Sequence, residues 1–433
     1  LFFQFLIGVI DSIQISFDQD AVSAINQTNA VINVINLVFA VLGTASIILI
    51  TQFKGIKDEK NVNKIYCLSF YFNLIVGIII SFILVFGAKT IFNLMGVEER
   101  YIDKAVIYMQ INGCFSFVIA LTTVFSSFLR SNKLMIQSTI VTGIMNIMNV
   151  GGNALALFVF NSGIQGVAIS SVISRIVGLI VIVIMYIHYI HSSLSIKNIF
   201  PFPGKLFATL LKIGLPSAGE NLSYNLSQLV IIMILNYHFI LSQSIDVNIR
   251  GYIANFTSIV YMFSNAIAQS AQVIIGPKIA KNEIDDTFHI VKDTVKMSGI
   301  ITVLCSLIFI AISYPLLNSL LNIKDPELKS QAMNIVLIVC AIDILLEFGR
   351  SGNIPYVRCL QTVGDIYTPV FFAIICCWSA AVLGSYILSA FCNLGVIGVW
   401  ISCALDENIR NIIFTFRWNS KKWTKFNLIK NIN

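Results

Sequence analysis

Apolar runs recur along this chain at a length suited to crossing a bilayer, which takes about 20 residues in an α-helix. They predict helices at Leu1–Ile15, Ala30–Ile50, Ile65–Phe86, Ala105–Leu129, Leu134–Val159 and Val167–Ile190. A second set follows at Ile213–Tyr237, Ile253–Ile275, Met297–Leu321, Ala332–Gly349, Tyr367–Phe391 and Gly395–Trp418. The first run is already apolar at Leu1, which reads as a helix that has lost its beginning. The longest connection, Ser192–Lys212, carries Pro201 and Pro203 and reads as a linker. The expected organisation is therefore all-α: twelve transmembrane helices in two pseudo-symmetric six-helix lobes, at 1–191 and 213–418. A linker at 192–212 joins the lobes, and a basic tail at 419–433 ends the chain.

Composition agrees. Hydrophobic residues make up 57% of the 433 and charged residues 11%, against roughly 25% charged in ordinary soluble domains. So little polar surface requires lipid as the surrounding solvent. The net charge of +7 does not point to nucleic acid, because the basic residues sit in short loops and the tail rather than on one face. Numbering the loops alternately puts twenty Lys and Arg on one side and six on the other, with Arg175 and Arg350 inside spans. The positive-inside rule then places the linker and C-terminus in the cytoplasm. The nine cysteines, such as Cys340, Cys376 and Cys377, lie mostly within apolar segments and form no CxxC pattern, which argues against disulfides and structural zinc. No Walker loop and no nucleophile–base or metal-spaced set occurs, so an enzyme is not expected.

The two halves share a pattern. Gly163-Ile-Gln-Gly-Val-Ala-Ile-Ser170 aligns with Gly395-Val-Ile-Gly-Val-Trp-Ile-Ser402 at five of eight positions, and Arg130 and Arg358 end the fourth span of each half. An even number of spans per half predicts repeats of the same orientation, related by an axis along the membrane normal, an arrangement typical of transporters.

Ionisable residues at membrane depth are costly, so each is a functional candidate. Asp11 shares a helical stripe with Gln4 and Gln14. Glu220 opens the seventh span, and Ser223, Tyr224 and Ser227 continue its face. Asp343, Glu347 and Arg350 lie at helical spacing in the tenth span, close to Asn353. Three amide stripes accompany them: Thr142, Asn146, Asn149 and Asn153; Ser258, Met262, Asn265, Gln269 and Gln272; and Asn26, Asn29, Asn33 and Asn36. Each feature has a plainer reading. Glu347–Arg350 is then an ion pair that locks packing, Glu220 a helix-start carboxylate and Asp11 a carboxyl wetted at the outer membrane face. On that view Arg175 snorkels to an interface, and the amides are interhelical glue. Stripes in both halves favour a shared wet cavity.

These residues together resemble the multidrug and toxic compound extrusion (MATE) family. The resemblance rests on Val9-Ile-Asp11-Ser, Gly214-Leu-Pro216 with Glu220, and Glu347-Phe-Gly-Arg350-Ser-Gly-Asn353. It extends to Arg358…Gly364-Asp365…Thr368-Pro369 and Ala404-Leu-Asp406…Arg410…Arg417, and so covers nearly the whole chain. It implies a V-shaped pair of lobes around a central cavity and cation-coupled export. Asp11 resembles the N-lobe carboxylate for the coupling proton or sodium, with Asn149 and Asn153 as polar partners and Ser170 as the hydroxyl. Asn153 stands where many relatives carry Asp, which puts an N-lobe sodium site in doubt. Glu220 and Glu347 resemble the C-lobe acidic positions. Asn33, Asn146, Tyr224, Met262, Asn265, Gln269, Arg350 and Asn353 are the expected cavity residues.

The expected function is an antiporter that exports drug-like, cationic small molecules in exchange for protons or sodium, as a monomer in the cell membrane. No cofactor, resident metal or nucleic-acid partner is expected, beyond a transient sodium at Asp11 or Glu347. The rival is a flippase for a lipid-linked oligosaccharide or another envelope precursor, whose cavity should be lined with Arg and Lys. The interior charges here are mostly acidic. Asp11, with neutral neighbours, favours a proton.

Overall fold

The computed structural model describes residues 11, 14, 15, 17–321, 323, 325–426, 428 and 429. Gln4 and most of the first predicted span lie outside them. Every regular element among the described residues is helical. In the first half these are α1 (Gln19–Gly55), α2 (Glu59–Leu94), α3 (Glu99–Cys114), α4 (Ser116–Ser131), α5 (Met135–Ala154) and α6 (Gly163–Ile190). In the second they are α7 (Gly204–Tyr237), α8 (Gln243–Ala280), α9 (Ile284–Leu320), α10 (Pro326–Val363), α11 (Tyr367–Cys376) and α12 (Gly395–Asn419).

Most helices outrun the apolar runs that announced them. Hydropathy marks only the segment that faces lipid, while capping side chains set the ends. Asp18 accepts a hydrogen bond from the Ala21 N–H and starts α1 well before Ala30. Asp58 does the same for Asn61 at the head of α2. The linker is shorter than expected: α7 already begins at Gly204, and a 3-10 turn occupies Ile196–Ile199. The predicted span Ala105–Leu129 is two helices bent by 49°. Phe115 leaves helical backbone there, at φ −106° and ψ 23°. Among the described residues eight helices, or nine with the bent pair counted as one span, are long and apolar enough to cross a membrane. The charged residues Asp406, Glu407 and Arg410 interrupt the apolar character of α12.

The chain divides into two compact units after Ala218, within α7. The first buries Ile25, Phe92, Tyr108, Met109 and Val167 in one core. Small residues let its helices approach: a Cβ on Gly77 of α2 would lie 2.7 Å from the Phe117 Cα of α4. The second unit packs Ile231, Ile253, Val336, Val399 and Trp400 around α10. Another cluster joins Val291, Leu360, Phe414, Trp418 and Trp423. Outside these cores α2 presents Ile75, Ile79, Phe82, Ile83 and Phe86 as an exposed apolar face. Such a face is stable against lipid and not against water.

The internal repeat is written into the backbone. A wide π-helical turn at Leu155–Val159 ends the helix before the first repeat motif, and another at Ile387–Phe391 ends the helix before the second. Asn161 and Gly163 then take positive φ of 48° and 55°; Asn393 and Gly395 take 53° and 41°. Gly152 abuts Ser170, and Gly384 abuts Ser402, in the two helix pairs that follow from this geometry.

Candidate functional site

In the first unit Asp11 is completely buried. The Tyr108 hydroxyl of α3 and the Ser171 hydroxyl of α6 each donate to its Oδ2 at 2.6 Å. Asn149 and Asn153 of α5 donate their Nδ2 to Oδ1 at 3.0 and 2.7 Å. Asn149 and Asn153 stand one turn apart on one face, as the stripe predicted. Four donors satisfy the carboxylate, which is what a buried anion requires. It is therefore not the wetted outer carboxyl of the plainer reading. Arg175, one turn beyond Ser171, donates to Asn112 Oδ1 at 3.0 Å instead of snorkelling outward.

Ser170 does not reach Asp11. It donates to the Asn149 backbone carbonyl at 3.2 Å and fills the space left by Gly152. One residue is about 100° of rotation on a helix, so Ser171 is the hydroxyl at the carboxylate. The rest of the α5 stripe turns back on its own helix: Thr142 donates to the Ser138 carbonyl, and Asn146 donates to the Thr142 carbonyl. Asn33 is exposed on α1.

The second unit holds a chain of alternating charges. Glu347 receives Arg350 Nη1 at 2.5 Å, and Arg350 Nε donates to Glu407 Oε1 at 3.1 Å. Arg410 lies 3.1 Å from Glu407 and also binds Asp406. Asn353 donates to Glu407 Oε2 at 2.6 Å. Three carboxyl groups thus face two guanidiniums. Arg350 also sits over the Tyr261 ring, 5.6 Å from its centroid. Arg410 is buried in α12. Asp343 accepts from Thr257 and Trp400 on Oδ1, as a supporting group. Glu220 on α7 lies in the electrostatic field of Arg358, Arg410 and Glu407. Asn265 donates to the Tyr261 hydroxyl, and Gln269 donates to Asn265. Tyr224 is 37% exposed and Met262 half-buried. Arg250, which falls between the predicted spans Ile213–Tyr237 and Ile253–Ile275, lies inside α8 and donates to Gln228 at 2.9 Å.

The sequence profile of the family described as MatE matches residues 1–155 and 216–387. The chain belongs to the MatE family. It is 30% identical over 421 residues to the uncharacterized transporter YisQ of Bacillus subtilis, covering 96% of this chain and 90% of that protein. It is 20% identical over 430 residues to the probable multidrug resistance protein NorM of Thermotoga maritima, covering 98% and 90%. Among solved structures it resembles an outward-facing multidrug resistance MATE transporter at TM-score 0.81 and 17% identity, covering 97% and 93%. It resembles a MOP superfamily transporter from Pyrococcus furiosus at TM-score 0.83 and 17% identity, covering 97% and 92%. These likenesses establish the twelve-helix MATE fold and a multi-pass transporter of small molecules, not an enzyme.

Three groups at the two MATE-fold sites escaped the sequence reading. Glu407 was legible: it lies in the predicted span Gly395–Trp418 beside Asp406 and Arg410, where any charge is a candidate. Ser171 needed the rotation of α6. Tyr108 gave no signal, because a tyrosine in an apolar span is inexpensive.

Proposed function

We propose that this protein is a cation-coupled exporter of drug-like, cationic small molecules in the cell membrane, with a proton on Asp11 as the coupling ion. The observation that carries the reading is the Asp11 carboxylate, gripped by four donors from three helices. A proton added to Asp11 is a further donor among donors, so one neighbour must turn and accept. The Tyr108 and Ser171 hydroxyls can do either. Loading and unloading one proton therefore changes the fit among α3, α5 and α6, which is the differential interaction that coupling needs. Sodium would demand oxygen ligands where Asn149 and Asn153 present their N–H groups. The excess of acidic groups over guanidiniums in the cluster from Glu347 to Arg410 supports cationic cargo. A flippase for an anionic headgroup would want free guanidiniums, whereas Arg350 and Arg410 are both engaged by carboxylates. The kinship with a probable multidrug resistance protein agrees with the reading.

The test is efflux of a cationic dye from proteoliposomes. An imposed pH gradient should drive it, and Asp11→Asn should reduce it to the rate of protein-free vesicles. Efflux driven by sodium alone, at equal pH and clamped potential, would overturn the proton assignment. Normal efflux in Asp11→Asn would remove Asp11 from the mechanism.

A further inference from the structure

Where α9, α10 and α12 meet, the second unit has an apolar crevice of about 530 Å³. Gly299, Ile300, Val303 and Leu304 of α9 form one wall, and Phe348 and Gly352 of α10 stand opposite. The α9 wall is open because Gly299 has no side chain. A Cβ added there would meet nothing closer than Ser351 Oγ at 3.6 Å. Gly352 is closed by contrast, since a Cβ there would collide with Asn411.

The same face of α9 continues into a basic end. Lys292 and Lys296 precede Ile300 at intervals of four residues, which puts all three on one stripe, and both lysines are exposed. The Lys292 ammonium lies 5.1 Å from the Phe288 ring centroid, and the Lys421 ammonium, arriving from beyond α12, lies 5.0 Å from it. Three ammonium groups thus gather within two turns of the crevice mouth. The nearby carboxylates of Asp285 and Asp286 are bound by Lys421 and Lys278. Asp293 lies roughly 100° round the helix from Lys292.

A stripe that is cationic at one end and apolar along the rest complements one class of molecule in a bilayer. We propose that this crevice binds an anionic phospholipid, its acyl chain against Gly299–Leu304 and its phosphate on Lys292 and Lys296. The charge sorts the lipid: a zwitterionic headgroup offers no net attraction, whereas each lysine near an anionic lipid favours it about five-fold. The apolar wall sorts against a soluble phosphate, which would leave the crevice empty.

The experiment is native mass spectrometry of the full-length protein, equilibrated in detergent with dioleoyl phosphatidylglycerol or dioleoyl phosphatidylcholine. The wild type should retain one phosphatidylglycerol in preference to phosphatidylcholine. The double change Lys292→Gln, Lys296→Gln should bring the two lipids close to equal retention. Gly299→Leu should lower retention of both while the protein stays monodisperse, and Val303→Trp fills the crevice from another position should the first variant fail to fold. Glycerol phosphate, added as the headgroup alone, should not compete. Equal retention of the two lipids by the wild type would overturn the proposal. So would unchanged phosphatidylglycerol retention in a folded crevice-filling variant, or displacement by glycerol phosphate.

Discussion

Glu407 accepts from Arg350 and Asn353 and pairs with Arg410 at once, so its removal disturbs two guanidiniums together. Breaking a buried pair by removing one partner costs about 3–5 kcal/mol. Glu407→Gln should therefore lower thermal stability in detergent more than Glu347→Gln, which leaves Arg350 its second carboxylate. Export should fail in Glu347→Gln with the protein still in the membrane; normal transport there would reduce the pair to packing. Arg350→Gln strands Glu347, while Glu407 keeps Arg410 and Asn353, so adding Glu347→Gln to it should partly restore folding. At the head of α1, Asp18 caps the helix and meets Lys104 Nζ at 2.7 Å, and the ammonium holds its carboxyl below the usual range. Asp18→Ala should cost about 1 kcal/mol by loss of the cap, measurable by thermal unfolding. The sequence showed Asp11 as a charge at membrane depth, and Asn149 and Asn153 because helical spacing aligns amides on one face. It could not separate Ser170 from Ser171, since that choice depends on how far α6 is rotated by its packing.

The helices themselves were legible wherever an apolar run was long, but their ends and bends were not. Ends depend on single capping groups such as Asp58, and the bend at Phe115 on one residue leaving helical backbone. Close approach is equally local. Gly77→Ala would push a methyl against the Phe117 backbone, a strain of about 1–3 kcal/mol. Gly143, inside α5, has nothing within 4 Å of an added Cβ. Gly143→Ala should stabilise its helix by about 0.5–1 kcal/mol. Paired thermal-shift measurements on the two variants test whether space, and not glycine content, governs helix packing here. Equal effects would show that it does not.

Across the whole molecule the repeat was readable from one motif and two arginines, because duplicated turns need the same left-handed residues at Asn161 and Gly163 as at Asn393 and Gly395. The orientation implied by the basic loops is open to direct measurement. In a background with exposed Cys114 and Cys392 changed to serine, a membrane-impermeant maleimide should label Arg100→Cys on intact cells. It should label Lys57→Cys only after permeabilisation, and the reverse pattern would invert the topology. The paired wide turns at Leu155–Val159 and Ile387–Phe391 bear on which changes of length the chain survives. A π turn closes i→i+5 instead of i→i+4 and so contains one residue more than a regular helix needs. Deleting a single codon within either turn would let the helix close up as ordinary α-helix, with everything before it undisturbed. The same deletion at Met145 would swing Asn149 and Asn153 about 100° away from Asp11. In a library of one-residue deletions, survivors within these helices should therefore cluster at the wide turns, these two and the π-helical stretch Cys377–Leu383 that precedes the second, where the chain has a residue to spare.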